Sequence, residues 1–239
     1  PDSPSGRTRI DSVLMAQKVK NVTGFEVMPH ICCRDKNAIA MRSTFLGASI
    51  NDINNFLIIT GDPIPVMARQ VVKSVFNFDS VGLMRIADEM NSEALKDSPL
   101  TYGGAINQSR RRIESEIKRV QKKMEAGAEF FLTQPVFTAE DAERLRRVKE
   151  ETGARILCGI MPLVSRKNAL FMKNEISGVN VTDEVIERYP ENADREDGEN
   201  VGVELAKEMI AATRDFADGY YFSFPFNRTY LLKRIIEEL

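Results

Sequence analysis

The sequence predicts an α/β fold in which short parallel strands alternate with longer helices. Two observations lead to this prediction. Apolar runs of strand length alternate along the whole chain with segments of helical periodicity, at the spacing of βα units. In addition, the run Phe56–Ile59 is continuously apolar and ends abruptly at Thr60-Gly61-Asp62-Pro63. Such a run is typical of a strand that is buried on both faces, and strands of this kind belong to parallel sheets.

Six strands are predicted from apolar runs that end in turn-forming residues. Their expected bounds are 25–30, 55–59, 99–107, 129–134, 155–161 and 220–224. A closed eight-stranded barrel needs two more strands than this. The residues alone therefore leave two architectures open, an open six-stranded sheet and part of a barrel. At 239 residues the chain could form one large domain or two small ones.

The helices are predicted from apolar residues three and four positions apart and from capping residues at their ends. Thr138 followed by Asp141 resembles a capping box, and Gly153 is a typical C-terminal stop. The stretch 63–77 has no clear period, and 190–200 is polar, so both are predicted to be loops. The expected helices span 10–21, 36–49, 80–90, 109–126, 138–152, 166–174, 182–189, 201–216 and the residues from 228 onward.

The composition makes several classes of partner unexpected. The net charge is −2, with acidic and basic residues interspersed, so no field favours nucleic acid or an anionic membrane. No apolar run approaches the roughly 18 residues of a membrane span. We therefore expect a cytoplasmic protein that binds neither nucleic acid nor membrane.

Disulfide, metal and nucleophile chemistry also lack support. Cys32, Cys33 and Cys158 have no framework spacing, and His30 is the only histidine. We expect no structural disulfide and no metal site. No nucleophile elbow surrounds any serine, so acyl-transfer catalysis is not indicated.

Polar residues gather where the predicted strands end. In a parallel sheet these ends share one face, which is where α/β folds bind their ligands. Gly103-Gly104, ahead of a basic helix, would suit a phosphate or simply form a tight turn. Asp62 is either a ligand-binding carboxylate or part of a turn. The endings are His30, Thr60-Gly61-Asp62, Gly103 to Asn107, Thr133-Gln134, Met161-Pro162 and Phe226-Asn227-Arg228.

Five motifs, taken together and in order, resemble those of the methylenetetrahydrofolate reductase family. They are Pro29 to Asn37, Thr60 to Pro63, Gly103 to Asn107, Glu125 to Pro135 and Phe226 to Arg228. They are most similar to the reductase region of bacterial bifunctional proteins that also carry a homocysteine methyltransferase. The resemblance implies a (βα)8 TIM barrel that binds FAD at the strand ends, with residues 1–239 forming a single domain. It makes the six strands the third to the eighth, so the first two, with the family's proton-donating glutamate, are expected upstream of Pro1.

The resemblance implies a flavin-dependent reaction in methionine biosynthesis. A hydride passes from NADH or NADPH to FAD, and then to 5,10-methylenetetrahydrofolate, which gives 5-methyltetrahydrofolate. Asp62 would be the catalytic residue, stabilising a cationic folate beside the flavin. His30 could instead be a core histidine, and Lys123 could lie on a solvated helix face. The implied cofactor-binding residues are His30, Thr60, Gly61, Asp62, Gly104, Ala105, Asn107 and Lys123.

The resemblance also implies substrate-binding residues. Gln134 would hydrogen-bond the pterin, and Arg228 would meet the acidic tail of the folate or the nicotinamide nucleotide. Alternatively, Arg228 is a helix residue that faces solvent. Asn168 and Met172 replace a glutamine and a phenylalanine that hold the second substrate in better-known members.

The departures from the family pattern at Asn168 and Met172 leave other functions and partners open. The chain could receive electrons from a partner protein, or it could be a non-catalytic subunit that binds flavin or folate. We also expect a homo-oligomer. A methyltransferase, fused or separate, is a further expected partner.

Overall fold

The computed structural model describes residues 2–3, 8–176, 178–192 and 194–237 of the chain. These residues belong to two compact units. Unit 1 comprises Pro1–Ala105 and Gln121–Phe130, and unit 2 comprises Ile106–Val120 and Phe131–Leu239. The prediction of one domain over 1–239 stays a prediction.

Unit 1 is built around three parallel strands. Strand β1 pairs with β2 so that His30 lies opposite Leu57, and β2 pairs with β3 so that Leu57 lies opposite Gly103. Phe56 and Ile58 of β2 are fully buried, as the apolar run predicted. The elements are α1 (Ser12–Thr23), β1 (His30–Cys32), α2 (Ala38–Ser49), β2 (Asn55–Ile59), a 3-10 turn (Val66–Ala68), α3 (Ser80–Ser92) and β3 (Thr101–Ile106).

Unit 2 contains the other three strands, which also pair in parallel. Phe131 lies opposite Ile156, and Leu157 lies opposite Gly219. Helix α4 and strand β4 have residues in both units. The elements are α4 (Ile113–Glu125), β4 (Phe130–Pro135), α5 (Ala139–Thr152), β5 (Ile156–Ile160), α6 (Arg166–Glu175), α7 (Asp183–Glu187), α8 (Arg195–Thr213), β6 (Gly219–Phe222), a 3-10 turn (Pro225–Asn227) and α9 (Leu231–Ile236).

The predicted fold class is confirmed. Six strands alternate with helices and pair in parallel within each unit, which is an α/β fold consistent with a TIM barrel. The predicted caps are also present. Thr138 accepts a hydrogen bond from the Asp141 amide at the start of α5, and Gly153 ends that helix with a left-handed φ of 68°. Within the part of the chain that the structure describes, no helix has the length and apolar character of a membrane span.

The first predicted strand, 25–30, is wrong in its position. Strand β1 spans only His30–Cys32, and Phe25 is exposed. Pro29 has no backbone N–H to offer a ladder, so regular pairing begins after it. His30 therefore opens the strand instead of ending it.

The predicted loop 190–200 is wrong in its second half. Helix α8 begins at Arg195, six residues before the predicted start at 201, and the Asp194 side chain caps it by accepting from the Asp197 amide. The first two turns of α8 are charged and polar, so their composition resembled a loop. Two of these residues, Gly198 and Glu199, are nevertheless buried by tertiary packing.

Candidate functional site

In unit 1, the carboxyl ends of β1 and β2 approach each other closely at Gly61. Its φ is 87°, and a Cβ at this position would lie only 2.9 Å from the Cβ of Cys32. A side chain would therefore be both strained and crowded. Glycine at this position lets the chain turn out of β2 directly beside the end of β1, and Asp62 follows as an exposed residue.

Arg34 anchors the backbone at Asp62, and the sequence reasoning did not single it out. Its side chain is only 2% exposed and makes a bidentate contact with Asp35, at 2.7 Å from Nε and 2.6 Å from Nη2. Its Nη1 donates to the Asp62 carbonyl oxygen at 3.4 Å. Arg34 therefore holds the main chain at Asp62, while the Asp62 side chain remains exposed to a ligand.

The hydroxyl group of Thr60 has a structural partner. Its Oγ1 accepts from the Ser80 amide at 3.1 Å and lies 3.2 Å from the Ser80 hydroxyl. These bonds tie the end of β2 to the first residue of α3. The cofactor contact implied for Thr60 stays a prediction, and the hydroxyl already has this structural role.

His30 lies at the start of β1, so its predicted place at a strand's carboxyl end is wrong. It is half-buried, and burial lowers the pKa of its imidazole to about 4. At neutral pH the ring is therefore uncharged, with one nitrogen as a donor and the other as an acceptor.

We expect a proton NMR titration to give His30 a pKa of about 4. Because His30 is the only histidine, its ring-proton resonance can be assigned without ambiguity. The unfolded chain, with a pKa near 6.5, binds the proton more readily, so stability should fall as pH falls from about 6.5 towards 4. The loss would reach at most about 3 kcal/mol, and His30→Gln should remove it. A midpoint near 6.5 in the folded protein would contradict this.

The glycine pair Gly103-Gly104 lies inside β3, so the predicted small-residue turn is wrong. A Cβ on Gly103 would lie 2.3 Å from the nearest ring carbon of Phe130 and 2.6 Å from the Phe130 carbonyl oxygen. Close packing therefore accounts for glycine at 103. The phosphate-binding arrangement expected from a turn with free N–H groups is not formed by these two residues.

Lys123 is buried and contacts another of the predicted cofactor-binding residues. Its ammonium group donates to the carbonyl oxygen of Ala105 in β3, and its side chain is only 4% exposed. The alternative of a solvated helix face is therefore wrong for this residue. A buried ammonium is costly unless it is paired, and the Ala105 carbonyl supplies one acceptor for it.

In unit 2, Gln108 fixes the backbone around Gln134. Its side-chain amide donates to the Gln134 carbonyl at 3.0 Å and accepts from the Gln134 N–H at 3.2 Å. Gln108 is fully buried, and the sequence reasoning passed over it because a single glutamine after a strand is not a recognisable signal. The Gln134 side chain is half-buried and forms no hydrogen bond with any of the described residues.

Asn107 also belongs to unit 2, and its polar groups serve the local backbone. Its backbone N–H donates to Oε1 of the buried Glu116 at 2.9 Å, and its side-chain oxygen accepts from the backbone N–H of Ser109 at 3.0 Å. Its role at the cofactor stays a prediction.

Asn168 and Met172 lie one turn apart on α6, and both are buried. The Asn168 side-chain oxygen accepts from the backbone N–H of Val164 at 3.2 Å, and the backbone N–H of Asn168 donates to the Ser165 hydroxyl at 3.1 Å. These bonds hold the start of α6. Substrate contacts for the two residues stay predictions.

Arg228 precedes α9 and is largely buried, so the alternative of a solvent-facing helix residue is wrong. Its side chain is 19% exposed, and Nε lies 3.3 Å from Oε1 of Glu199. The two residues before it, Phe226 and Asn227, have left-handed φ values of 56° and 58°. Glu199 was missed because it lay in the stretch predicted to be a loop.

The three cysteines are free and buried. Burial raises the thiol pKa of Cys32 to about 11 and that of Cys33 to about 12. Both thiols are therefore protonated at neutral pH and are poor nucleophiles.

Comparison of the chain with models of known protein families shows which family it belongs to. The family model described as methylenetetrahydrofolate reductase matches residues 2–239. The chain belongs to the methylenetetrahydrofolate reductase family. The resemblance seen in the five motifs is thereby confirmed. The closer resemblance to bifunctional proteins stays a prediction.

Two similar crystal structures are of 2,3-dimethylmalate lyase, described as a PEP mutase/isocitrate lyase superfamily member. The triclinic form has a TM-score of 0.52 and 14% identity, and the match covers 98% of this chain and 66% of that one. The trigonal form has a TM-score of 0.52 and 13% identity, with 95% and 61% covered. At this identity the likeness shows the fold alone. No curated protein matches the chain.

Proposed function

We propose that this reductase-family chain carries out the FAD-dependent reduction of 5,10-methylenetetrahydrofolate to 5-methyltetrahydrofolate with NADH or NADPH. The family match over residues 2–239 supports the substrate. The structural observation that carries the proposal is the position of Asp62. This residue is exposed, and its backbone is held by the buried Arg34. A carboxylate carried on a fixed backbone can reach a bound substrate and stabilise its positive charge.

The donor groups of unit 1 suit a flavin dinucleotide chemically. Lys123 supplies a buried cation for the diphosphate charge, and the neutral His30 can donate a hydrogen bond without adding charge. When bound, FAD would supply the group that accepts and donates the hydride. We propose that it is held by His30, Thr60, Gly61, Asp62, Ala105 and Lys123 of unit 1. The roles implied for Gly104, inside β3, and for Asn107, in unit 2, stay predictions.

The protein's own contribution would be electrostatic and positional. The Asp62 carboxylate would favour the cationic form of the folate over the neutral one. The Gln134 amide, on a backbone held by Gln108, would recognise the pterin edge, and Arg228 would bind a carboxylate of the folate tail. Asn168 and Met172 would lie near the second substrate.

Reconstitution with FAD tests the cofactor assignment. We expect the purified protein to retain flavin absorbance after gel filtration, and Lys123→Met to weaken FAD binding about tenfold or more, because it removes the buried cation. Lys122→Met is the matched control, since Lys122 is adjacent on α4 and exposed. Absence of flavin absorbance from the wild-type protein after reconstitution would refute the proposal.

A second candidate is a non-catalytic or partner-dependent subunit that binds flavin or folate. The bond from the Val164 N–H to the Asn168 side-chain oxygen favours it, because that oxygen is engaged by the start of its own helix. Anaerobic mixing of the flavin-loaded protein with NADH, NADPH and 5-methyltetrahydrofolate separates the two. A catalytic protein changes the flavin spectrum with at least one of the three, whereas no change with any of them would favour the second candidate. A homo-oligomer, a methyltransferase and an electron-transfer partner stay predictions.

A further inference from the structure

A buried carboxylate in unit 2 gathers two hydrogen-bond donors and a second arginine around one oxygen atom. Glu199, in the second turn of α8, is 5% exposed. Its Oε1 accepts from Arg195 Nε at 2.8 Å and from the Tyr230 hydroxyl at 2.6 Å, and it lies 3.3 Å from Arg228 Nε. Burial disfavours the charged form of Glu199. The hydrogen bonds from Arg195 and Tyr230, with the charges of Arg195 and Arg228, outweigh this and keep its pKa below the usual value.

The two hydrogen-bond donors also bind each other, which makes the cluster rigid. Arg195 Nη2 donates to the Tyr230 hydroxyl at 2.7 Å, and its guanidinium lies 5.9 Å from the centre of the Tyr230 ring. Glu199, Arg195 and Tyr230 therefore form a closed triangle of hydrogen bonds. The triangle fixes the carboxylate in one position, because moving Glu199 would break two short bonds at once.

Arg228 forms an ion pair with this fixed carboxylate, and Nε is the nitrogen nearest to it. Among the described residues, its terminal nitrogens Nη1 and Nη2 have no protein acceptor, although the side chain is mostly buried. The consecutive left-handed residues Phe226 and Asn227 lead directly into it. A backbone conformation of this kind costs about 1–3 kcal/mol per residue and persists only where the surroundings enforce it. The local structure thus holds the guanidinium with its outer edge unoccupied.

We infer that Glu199 is a positioning residue that orients Arg228 for end-on, bidentate binding of an anionic group of the substrate. With Nε nearest to Glu199 in the ion pair, Nη1 and Nη2 remain for a ligand, and their parallel N–H groups match the two oxygens of a carboxylate or phosphate. The inference rests on the proposed function. It adds that Glu199 sets the geometry and that the anion is recognised by the outer edge of the guanidinium.

The experiment compares steady-state kinetics of Glu199→Gln, Arg228→Gln and the double variant. Glu199→Gln keeps the size of the side chain but removes the charge that holds Arg228 Nε. We expect the KM for methylenetetrahydrofolate to rise about tenfold, kcat to change less than about twofold, and the FAD affinity to be unchanged. Glu199→Asp, which keeps the charge, should recover part of the affinity.

The double variant isolates positioning from a general structural effect. If Glu199 acts through Arg228, Glu199→Gln should raise KM no further once Arg228→Gln is present. Glu208→Gln is the matched control. Glu208 also lies on α8 and pairs with an arginine, Arg188, so its replacement should leave KM unchanged. A KM effect of Glu199→Gln that multiplies in the double variant would overturn the inference.

Other outcomes distinguish the folate tail from the nucleotide phosphate as the bound anion, and a failure of the Glu199 inference from a failure of the proposed function. A rise confined to the KM for folate identifies the folate tail, and a rise confined to that for NADH or NADPH identifies the nucleotide phosphate; either supports the inference. Wild-type kinetics for Glu199→Gln would overturn the inference and leave the proposed function intact. A wild-type protein that binds neither 5-methyltetrahydrofolate nor the nucleotides would overturn both.

Discussion

Replacing Asp62 with asparagine is expected to leave FAD bound and to slow the reduction of methylenetetrahydrofolate about 100-fold, which corresponds to about 2.7 kcal/mol of transition-state stabilisation. The substitution keeps the shape of the side chain and removes its negative charge. The main chain should not move, since Arg34 binds the carbonyl oxygen of Asp62 and not its carboxylate. The lost rate therefore measures electrostatic stabilisation of the cationic folate.

The measurement is anaerobic, single-turnover oxidation of the reduced flavin by methylenetetrahydrofolate. Asp97→Asn is a suitable control because Asp97 is also an exposed aspartate of unit 1, outside the residues assigned to the site. An unchanged rate for Asp62→Asn would refute the catalytic role. Loss of FAD together with loss of activity would show that Asp62 serves cofactor binding instead.

Replacing Gly202 with alanine is expected to destabilise the protein by about 2–3 kcal/mol, although alanine is the better helix former. Gly202 lies in the middle of α8, and a Cβ there would lie 2.0 Å from the carbonyl oxygen of Leu163. Gly198, one turn earlier, would similarly bring a Cβ to 2.5 Å from the Val164 carbonyl oxygen. Because both obstacles are backbone atoms, relief requires α8 itself to shift.

The matched control is Gly47→Ala in α2, where a Cβ would meet nothing within 4 Å. That substitution should stabilise the protein by about 0.5–1 kcal/mol through helix propensity and reduced freedom of the unfolded chain. Guanidinium denaturation of the two variants measures both changes. A gain in stability for Gly202→Ala would show that α8 does not pack as tightly on residues 163–164 as the structure indicates.

The candidate site was only partly predictable from sequence. Asp62 was predictable because an apolar strand that ends in Thr-Gly-Asp-Pro is a local pattern, and Gly61 does adopt the left-handed conformation that such a turn requires. Arg34, Gln108 and Glu199 were not predicted. Each acts through a partner distant in sequence or through burial, and neither property leaves a mark on the neighbouring residues.

By itself, the sequence determined the order of strands and helices, the helix caps and the family. These depend on hydrophobic periodicity, on capping within a few residues and on motifs in a fixed order, all of which are local properties of the chain. Only the tertiary structure decided which polar residues are buried and what they contact. The sequence left open whether Lys123 contacts a cofactor or lies on a solvated helix face, and only the structure shows it buried against Ala105. Residues 195–200 were predicted to be a loop, whereas the structure buries Glu199 in contact with Arg195, Tyr230 and Arg228. The physical reason is that desolvation and ion pairing depend on surroundings contributed by distant segments, which composition and spacing do not encode.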